Sequence, residues 1–472
     1  MTDLALASCE RLLELYRARK ASPVEVLAAV VRRIEGQNRA LNAFAHLDLE
    51  QAQEAARESE RRWAAGRPQG LLDGLPVSVK DLGLVRGMPT LRGSLSIDRK
   101  GPWLEDAPSV ARAREHGAVL IGKTAVPEFG CKGTTDSRLN GVTRNPWNPE
   151  MTPGGSSGGA VAAVASGMSC ADVASDAGGS IRNPCALSGV VGLKPSFGRV
   201  PDYPPSPIGS MAVVGPICRT VRDVALFMNV LSAADARDPA GKALAGEDFL
   251  ARIESGALDL TVAVSPTLGY ARVDSEVLAA FERAVGLLKL RSLERVESVF
   301  PDPAPLAGAF LSVGLARLYR ALGPSKVSDD KMDPAFVAAV RRGEQLSLQE
   351  YLDAVAARKQ LIATASRLFQ RYDLLLTPTL PVAAFPVGTD DPPGHKLWKP
   401  FSGWVNLAKL PAATVPCGTT REGLPIGLQI VGPRFSEAKV LRMARAVEKA
   451  CGFELPDLAE RISVKQELQR QP

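Results

Sequence analysis

Apolar positions recur at helical spacing through the first 65 residues. Leu12, Leu13 and Tyr16 mark one amphipathic face, and Ser22-Pro23-Val24-Glu25 is a capping box with proline at the first helical position, opening the run VEVLAAVVRRIEGQN. Residues 1–65 are therefore expected to be helical. A Gly/Pro-rich loop over 66–74 leads into LPVSVK (75–80), a short strand. Residues 109–116 predict a helix and 118–121 a strand. The cluster Pro153-Gly154-Gly155-Ser156-Ser157-Gly158-Gly159 is too glycine-dense for a regular element and runs into AVAAVAS (160–166), a small-residue buried helix. A strand over 171–174 and a second turn, Asp176-Ala177-Gly178-Gly179-Ser180, follow. Further on, LTVAVSP, DLLLTPT and GLQIVG predict strands between helices, and 344–372 is a long amphipathic stretch. No internal repeat is present. Strands alternating with helices predict an α/β fold around a large mixed, mainly parallel sheet.

The two glycine-serine turns are the candidate chemistry. Glycine lets the backbone adopt conformations closed to other residues and approach a ligand closely. A phosphate loop would need a Gly-Lys-Ser/Thr ending, which is missing, and a dinucleotide turn would need GxGxxG directly after a strand. A serine hydrolase site with backbone N–H groups as an oxyanion hole remains, beside the plain alternative of two flexible loops. A serine nucleophile needs a base. The three histidines, His46, His116 and His395, lie outside any G-x-S-x-G context, and the first two fall in helical patterns, so each reads as structural. Lys80, at the end of an apolar strand, is the other possible base, provided that burial lowers its pKa; taken alone it also fits a solvated strand end.

Composition narrows the class. Hydrophobic residues make up 45% and charged residues 23% of 472 residues, which excludes a disordered chain. At roughly 150 residues per domain the length allows about three domains, or one large α/β enzyme. The net charge of +6 is spread among acids, with no basic block to suggest nucleic-acid binding. Seven cysteines without a CxxC point to a reducing compartment rather than a disulfide framework. No signal peptide and no apolar run of about 18 residues occurs, so a cytoplasmic protein without membrane association is expected. No HExxH or Cys/His cluster suggests a metal, and no cofactor is expected.

Several motifs in order resemble the amidase signature family of serine hydrolases: Gly74-Leu75-Pro76-Val77-Ser78-Val79-Lys80-Asp81, Asn145-Pro146-Trp147, the turn at 153–159, Asp176-Ala177-Gly178-Gly179-Ser180-Ile181-Arg182 and Gly189-Val190-Val191-Gly192-Leu193-Lys194-Pro195. Leu375-Leu376-Thr377-Pro378-Thr379 and Leu428-Gln429-Ile430-Val431-Gly432 extend the likeness through nearly the whole chain. The resemblance implies one α/β/α sandwich domain over 1–472, with an N-terminal helical layer (1–65), a signature core (66–230) and the rest of the sheet with pocket elements (231–472). It implies a Ser–Ser–Lys triad: Ser180 as nucleophile, Ser156 as bridging serine after a cis peptide bond, and Lys80 as general base. Ser157, Asp176 and Arg182 would support the site. Backbone N–H groups of Ala177, Gly178, Gly179 and Ser180 would form the oxyanion hole, and alanine at 177, where many relatives carry threonine, preserves the donor.

Pocket walls in the family suggest Phe129, Gly130, Cys131, Trp398 and Trp404 as lining, and hence apolar aryl or alkyl amides, with carbamates (urethanes) and esters also within reach of the chemistry. The family includes the A subunit of glutamyl-tRNA amidotransferase, which binds glutamine through an acid before an FxxPxNLxGLP segment. The corresponding residues, Lys396 to Leu407, contain no acid. A free-standing amidohydrolase acting on a small amide or carbamate is thus the expected function, and a homodimer is compatible with it. The alternatives are that amidotransferase component and a catalytically silent scaffold of the same fold.

Overall fold

The computed structural model describes residues 3–462 apart from 239, 242–246, 298–300, 324–328, 393, 396 and 397. Lys396 and Leu397 of the late segment therefore lie outside the described residues. The strands are β1 (Phe44–Leu47), β2 (Pro76–Lys80), β3 (Val119–Thr124), β4 (Asp136–Ser137), β5 (Gly141–Val142), β6 (Ala171–Asp176), β7 (Val191–Lys194), β8 (Val213–Cys218), β9 (Thr261–Val264), β10 (Ser292–Arg295), β11 (Leu374–Pro378), β12 (Ala412–Thr419) and β13 (Pro425–Val431). Eleven of them form one sheet in the order β1-β3-β2-β6-β8-β7-β12-β13-β11-β9-β10, and β4 and β5 form a separate small ribbon.

The sheet is large and mixed, with helices on both faces. Its parallel pairings fall in two blocks, β3-β2-β6 and β11-β9-β10. Five antiparallel pairings join the blocks through β8, β7, β12 and β13, and with the edge pair β1–β3 the antiparallel pairings outnumber the parallel ones by six to four. Strand alternation divides the core. Val77 and Val79, Val262 and Val264, and Leu374 and Leu376 point to one face, whereas Ala263 and Leu375 point to the other. On the first face pack the helices Cys9–Arg17, Pro108–Glu115, Val221–Leu231, Ser275–Leu287 and Glu437–Cys451. On the second lie Leu49–Ala64, Gly158–Ala165 and Arg182–Ser188. Among the described residues, no helix is long and apolar enough to cross a membrane.

Two expectations change. The first 65 residues are not all helical, since the helix Pro23–Leu41 stops at Asn42 in the left-handed conformation (φ 52°) and β1 follows, paired antiparallel to β3. His46 thus sits on an edge strand. The N-terminal helices also do not form one layer: Cys9–Arg17 packs on one face, while most of the buried residues of Pro23–Leu41 pack on the other. The amphipathic stretch over 344–372 is mostly the single helix Leu348–Arg371. The helix Pro334–Gln345 ends, and Leu348–Arg371 restarts behind a capping box in which Ser347 and Glu350 satisfy each other's backbone N–H groups. The capping box at Ser22 and Glu25 is present as expected. All seven cysteines are free thiols.

Candidate active site

The parallel block β3-β2-β6 delivers three carboxyl ends to one edge of the sheet, the place where α/β folds leave room for a ligand. From β2 emerges Lys80, followed by a loop carrying Leu82 and Arg92. Beyond β3 comes the loop with Phe129 and Gly130. At the end of β6 lies the turn Ala177–Ser180. The antiparallel partner β8, with Val213 opposite Asp176, brings in the preceding segment from Asp202 to Ile208. Lys80, Ser156, Ala177, Ser180, Phe129 and Gly130 all line one cavity there.

Lys80 is buried, and its Nζ donates to Ser156 Oγ at 2.8 Å and to the Ser175 carbonyl at 3.0 Å. Burial lowers its pKa to about 7, even though the nearby Asp176 and Asp172 pull it up. Asp172 lies beneath it and accepts from Ser78 Oγ (2.7 Å) and Thr124 Oγ1 (3.0 Å); burial pushes its carboxyl up to about 6. The Gly155–Ser156 peptide bond is cis, as the resemblance implies. Gly130 leaves space beside Ser156, where a Cβ would approach its Oγ to 3.2 Å. Ser157 is the N-cap of the helix Gly158–Ala165, and its hydroxyl donates to the Ser175 carbonyl at 3.5 Å. That helix needs its glycines, because a Cβ at Gly159 would lie 2.4 Å from the Ala125 nitrogen.

The Asp176–Arg182 turn is braced from behind. Asp176 accepts from the backbone N–H of Gly179 (2.8 Å) and Ile181 (3.1 Å) and pairs with the buried Arg182 at 3.0 Å. Arg182 also donates to Gln429 Oε1 (2.7 Å) and Asn406 Oδ1 (2.6 Å). Burial alone would raise the Asp176 pKa, but Arg182 and Lys194 hold the carboxyl well below the usual range. One expected oxyanion donor is used otherwise. The Gly179 N–H faces Asp176, because the turn folds back on its own carboxylate, which leaves the N–H groups of Ala177, Gly178 and Ser180 without an acceptor among the described residues.

Gly179 itself is required by geometry. Its φ is +120°, and a Cβ there would lie 2.4 Å from Asn183 Nδ2 and 2.5 Å from Ser402 Oγ. Gly179→Ala is expected to destabilise the fold by about 2–4 kcal/mol. An unchanged thermal unfolding midpoint would contradict this account of the turn.

The expected pocket wall needs correction. Phe129 and Gly130 line the cavity, but Cys131, Trp398 and Trp404 do not. Cys131 packs beside the Phe129–Phe336 cluster. Trp398 is buried edge-on against Phe385 at 5.0 Å and donates to the Asp390 carbonyl. Trp404 is fully buried with Phe401 and Met211. The aromatics serve the core rather than the pocket. Their place is taken by Leu82, Ile208, Leu315, Leu318 and the proline-rich run Tyr203-Pro204-Pro205-Ser206-Pro207, which sequence reasoning missed. Density of proline beside the signature was the available signal. None of the three histidines lines the cavity: His116 accepts from the Leu71 N–H, and His395 pairs with Asp274. Among the described residues no group of three or more His, Cys, Asp or Glu is placed to hold a metal.

A mixed α/β sheet with this buried Lys–Ser pair at a strand edge defines a class. The amidase family model matches residues 25–441, and the chain belongs to that family. It is 34% identical to the A subunit of glutamyl-tRNA(Gln) amidotransferase from Chloroflexus aggregans, over 97% of this chain and 100% of that protein. Identity to the corresponding Myxococcus xanthus protein is 35%, over 96% and 98%. Among solved structures, a bacterial aryl acylamidase of the amidase signature family superposes with a TM-score of 0.88 at 28% identity, covering 97% of this chain and 98% of that one. A 6-aminohexanoate cyclic dimer hydrolase gives 0.86 at 28%, covering 96% and 99%.

Proposed function

We propose that the whole chain acts as one catalytic unit that cleaves a carboxamide C–N bond, or a related carbamate or ester bond, through an acyl-enzyme on Ser180. The observation that carries this reading is the 2.8 Å bond between the buried Lys80 Nζ and Ser156 Oγ, in a cavity that Ser180 also lines. With Lys80 neutral, the bond runs the other way, from Ser156 O–H to Nζ. Ser180 Oγ then attacks the carbonyl carbon; its proton passes to Ser156 while the Ser156 proton passes to Lys80. Charge on the tetrahedral oxygen is met by free N–H groups of the turn at Ala177, Gly178 and Ser180. Collapse breaks the C–N bond, and Lys80 returns the proton through Ser156 to the leaving nitrogen. Water then attacks the Ser180 ester by the same relay, releasing the acid and restoring the serine. No cofactor enters these steps.

For the substrate, apolar wall residues such as Leu82, Phe129, Ile208, Leu315 and Leu318 support a free-standing hydrolase of small amides. A second reading, an amidotransferase A subunit releasing ammonia from glutamine, is favoured by a specific observation: the relatives at 33–36% identity over nearly the full length are A subunits of that amidotransferase, above the 28% identity to the two hydrolase structures. Similarity thus gives no support to the preference for a free-standing enzyme. Against the amidotransferase reading stand Asp390 and Asp391, the acids that precede the late segment. Neither is on the cavity wall, and Asp390 accepts from Thr134 Oγ1 at 3.2 Å.

The test is turnover of a panel by the purified chain alone: anilides, aliphatic amides, carbamates, esters and glutamine. Anilide or alkyl-amide hydrolysis with a higher kcat/KM than glutamine supports the hydrolase. Preferred glutamine hydrolysis transfers support to the amidotransferase reading. Absence of both turnover and labelling by a fluorophosphonate would leave the silent scaffold.

A further inference from the structure

Arg92 is a charged residue of the cavity that these steps leave unused. It lines the wall with Lys80, Phe129 and Ser180. Its backbone is pinned in the left-handed region (φ 55°), and its carbonyl accepts from the Phe129 N–H at 2.8 Å. The next residue, Gly93, donates its N–H to Asp81 Oδ2 at 3.4 Å. A side chain with a Cβ is strained in this conformation, so the surroundings impose it.

Among the described residues the guanidinium has no ion-pair or hydrogen-bond counterpart, and its Nε is buried without a partner. The nearest carboxylate that acts on it is Asp81, but Asp81 is already paired with the buried Lys123 at 3.2 Å. Two cations therefore share one carboxylate. Asp202 also lines the cavity, yet it makes no ion pair with Arg92, and burial beside Asp238 pushes its carboxyl up to about 7. Arginine is a fixed charge with a planar fork of donors, and holding it half-buried at the cavity wall with its Nε unpaired leaves that fork open to a ligand. A planar anion entering from the cavity would match that fork.

We propose that Arg92 is a specificity-determining residue that binds a carboxylate of the substrate, so that the amide cleaved at Ser180 carries an anionic group. This deepens the proposed function and rests on the cavity being the acyl-transfer site. The apolar walls then hold the chain or ring between the amide and the carboxylate. The carboxylate could reside on the acyl side, as in a monoamide of a dicarboxylic acid, or on the amine side, as in an N-acyl aminobenzoate. Both satisfy the same guanidinium.

Two matched pairs separate these sources: glutaramate against valeramide, and 4-acetamidobenzoate against acetanilide. In the wild type, one pair is expected to show a charged-to-neutral kcat/KM ratio of about 10- to 100-fold, carried mainly by KM. Arg92→Met should bring that ratio to about one, and Arg92→Lys should retain part of it. Equilibrium binding of the acids glutarate and 4-aminobenzoate gives a readout independent of turnover. Arg92→Met should weaken the favoured acid about tenfold or more. A ratio near or below one in both pairs in the wild type, or equal acid binding by wild type and Arg92→Met, would overturn the proposal. If neutral amides are cut and Ser180 is labelled while those ratios stay flat, the acyl-transfer reading survives and the carboxylate inference alone falls. If acid binding depends on Arg92 but neither amide is cut nor Ser180 labelled, the anion site stands and the acyl-transfer reading falls.

Discussion

Ser180→Ala is expected to lower amide turnover by about 10⁴-fold or more while the chain still folds. The side chain forms the covalent bond in the proposed mechanism, and the groups of the proposed proton path cannot replace it. Ser156 is tied to Lys80 at 2.8 Å and sits behind it in the proton path. The cysteines are poor substitutes: burial pushes the Cys131 and Cys185 thiols up, away from the thiolate form that attacks carbonyls. Removing one hydroxyl from a partly exposed turn should also leave the bracing of Asp176 and Arg182 intact, since Ser180 takes no part in that network. Intact-mass spectrometry after incubation with a slow substrate or a fluorophosphonate should show one adduct on the wild type and none on Ser180→Ala. An adduct that maps to Ser156 or to a cysteine sinks the assignment.

The parts of this site that were legible in the chain are the ones that depend on short-range sequence. Lys80 ends an apolar strand, and Ser156 and Ser180 sit in glycine turns whose backbone conformations few other residues allow. Each can be recognised within about ten residues of chain. What was not legible depends on non-local pairing. The run from Asp202 to Ile208 becomes a pocket wall because β8 pairs antiparallel with β6, and Leu315 and Leu318 arrive on the helix Ala304–Leu322 from more than a hundred residues away. The two tryptophans illustrate the converse. An aromatic side chain stabilises a core or a pocket equally well, and only packing against Phe385 or Phe401 decides which. The Gly179 N–H was miscounted for a similar reason: a turn with several free donors and its own carboxylate can satisfy one of them internally. The same limit applied to the fold. Strand positions were largely evident, but β1 was hidden in a helical stretch, being four residues long and lying at the sheet edge.

Lys80 carries the second large effect, because in the proposed mechanism the proton path begins and ends there. In water a lysine has a pKa near about 10.4 and would be almost wholly protonated at pH 7. Burial brings Lys80 down to about 7, so roughly half of it is neutral at that pH and able to take a proton from Ser156. The sign follows directly. The neutral form is the active one, so kcat/KM should fall about tenfold per unit as pH drops below 7 and level off above about 8. Asp172, pushed up to about 6 by burial, titrates just below and shares that limb. Lys80→Ala should lose about 10³-fold or more and lose the limb with it. Lys80→Arg should not rescue, since arginine cannot release its proton at these pH values. Amide hydrolysis should suffer more than ester hydrolysis, because the leaving nitrogen must be protonated and an alkoxide needs it less. The measurement is kcat/KM against pH for a matched amide and ester, in wild type and both variants. If Lys80→Arg retains near-normal amide hydrolysis with the acid limb in place, the limb belongs to another group and Lys80 is not the base.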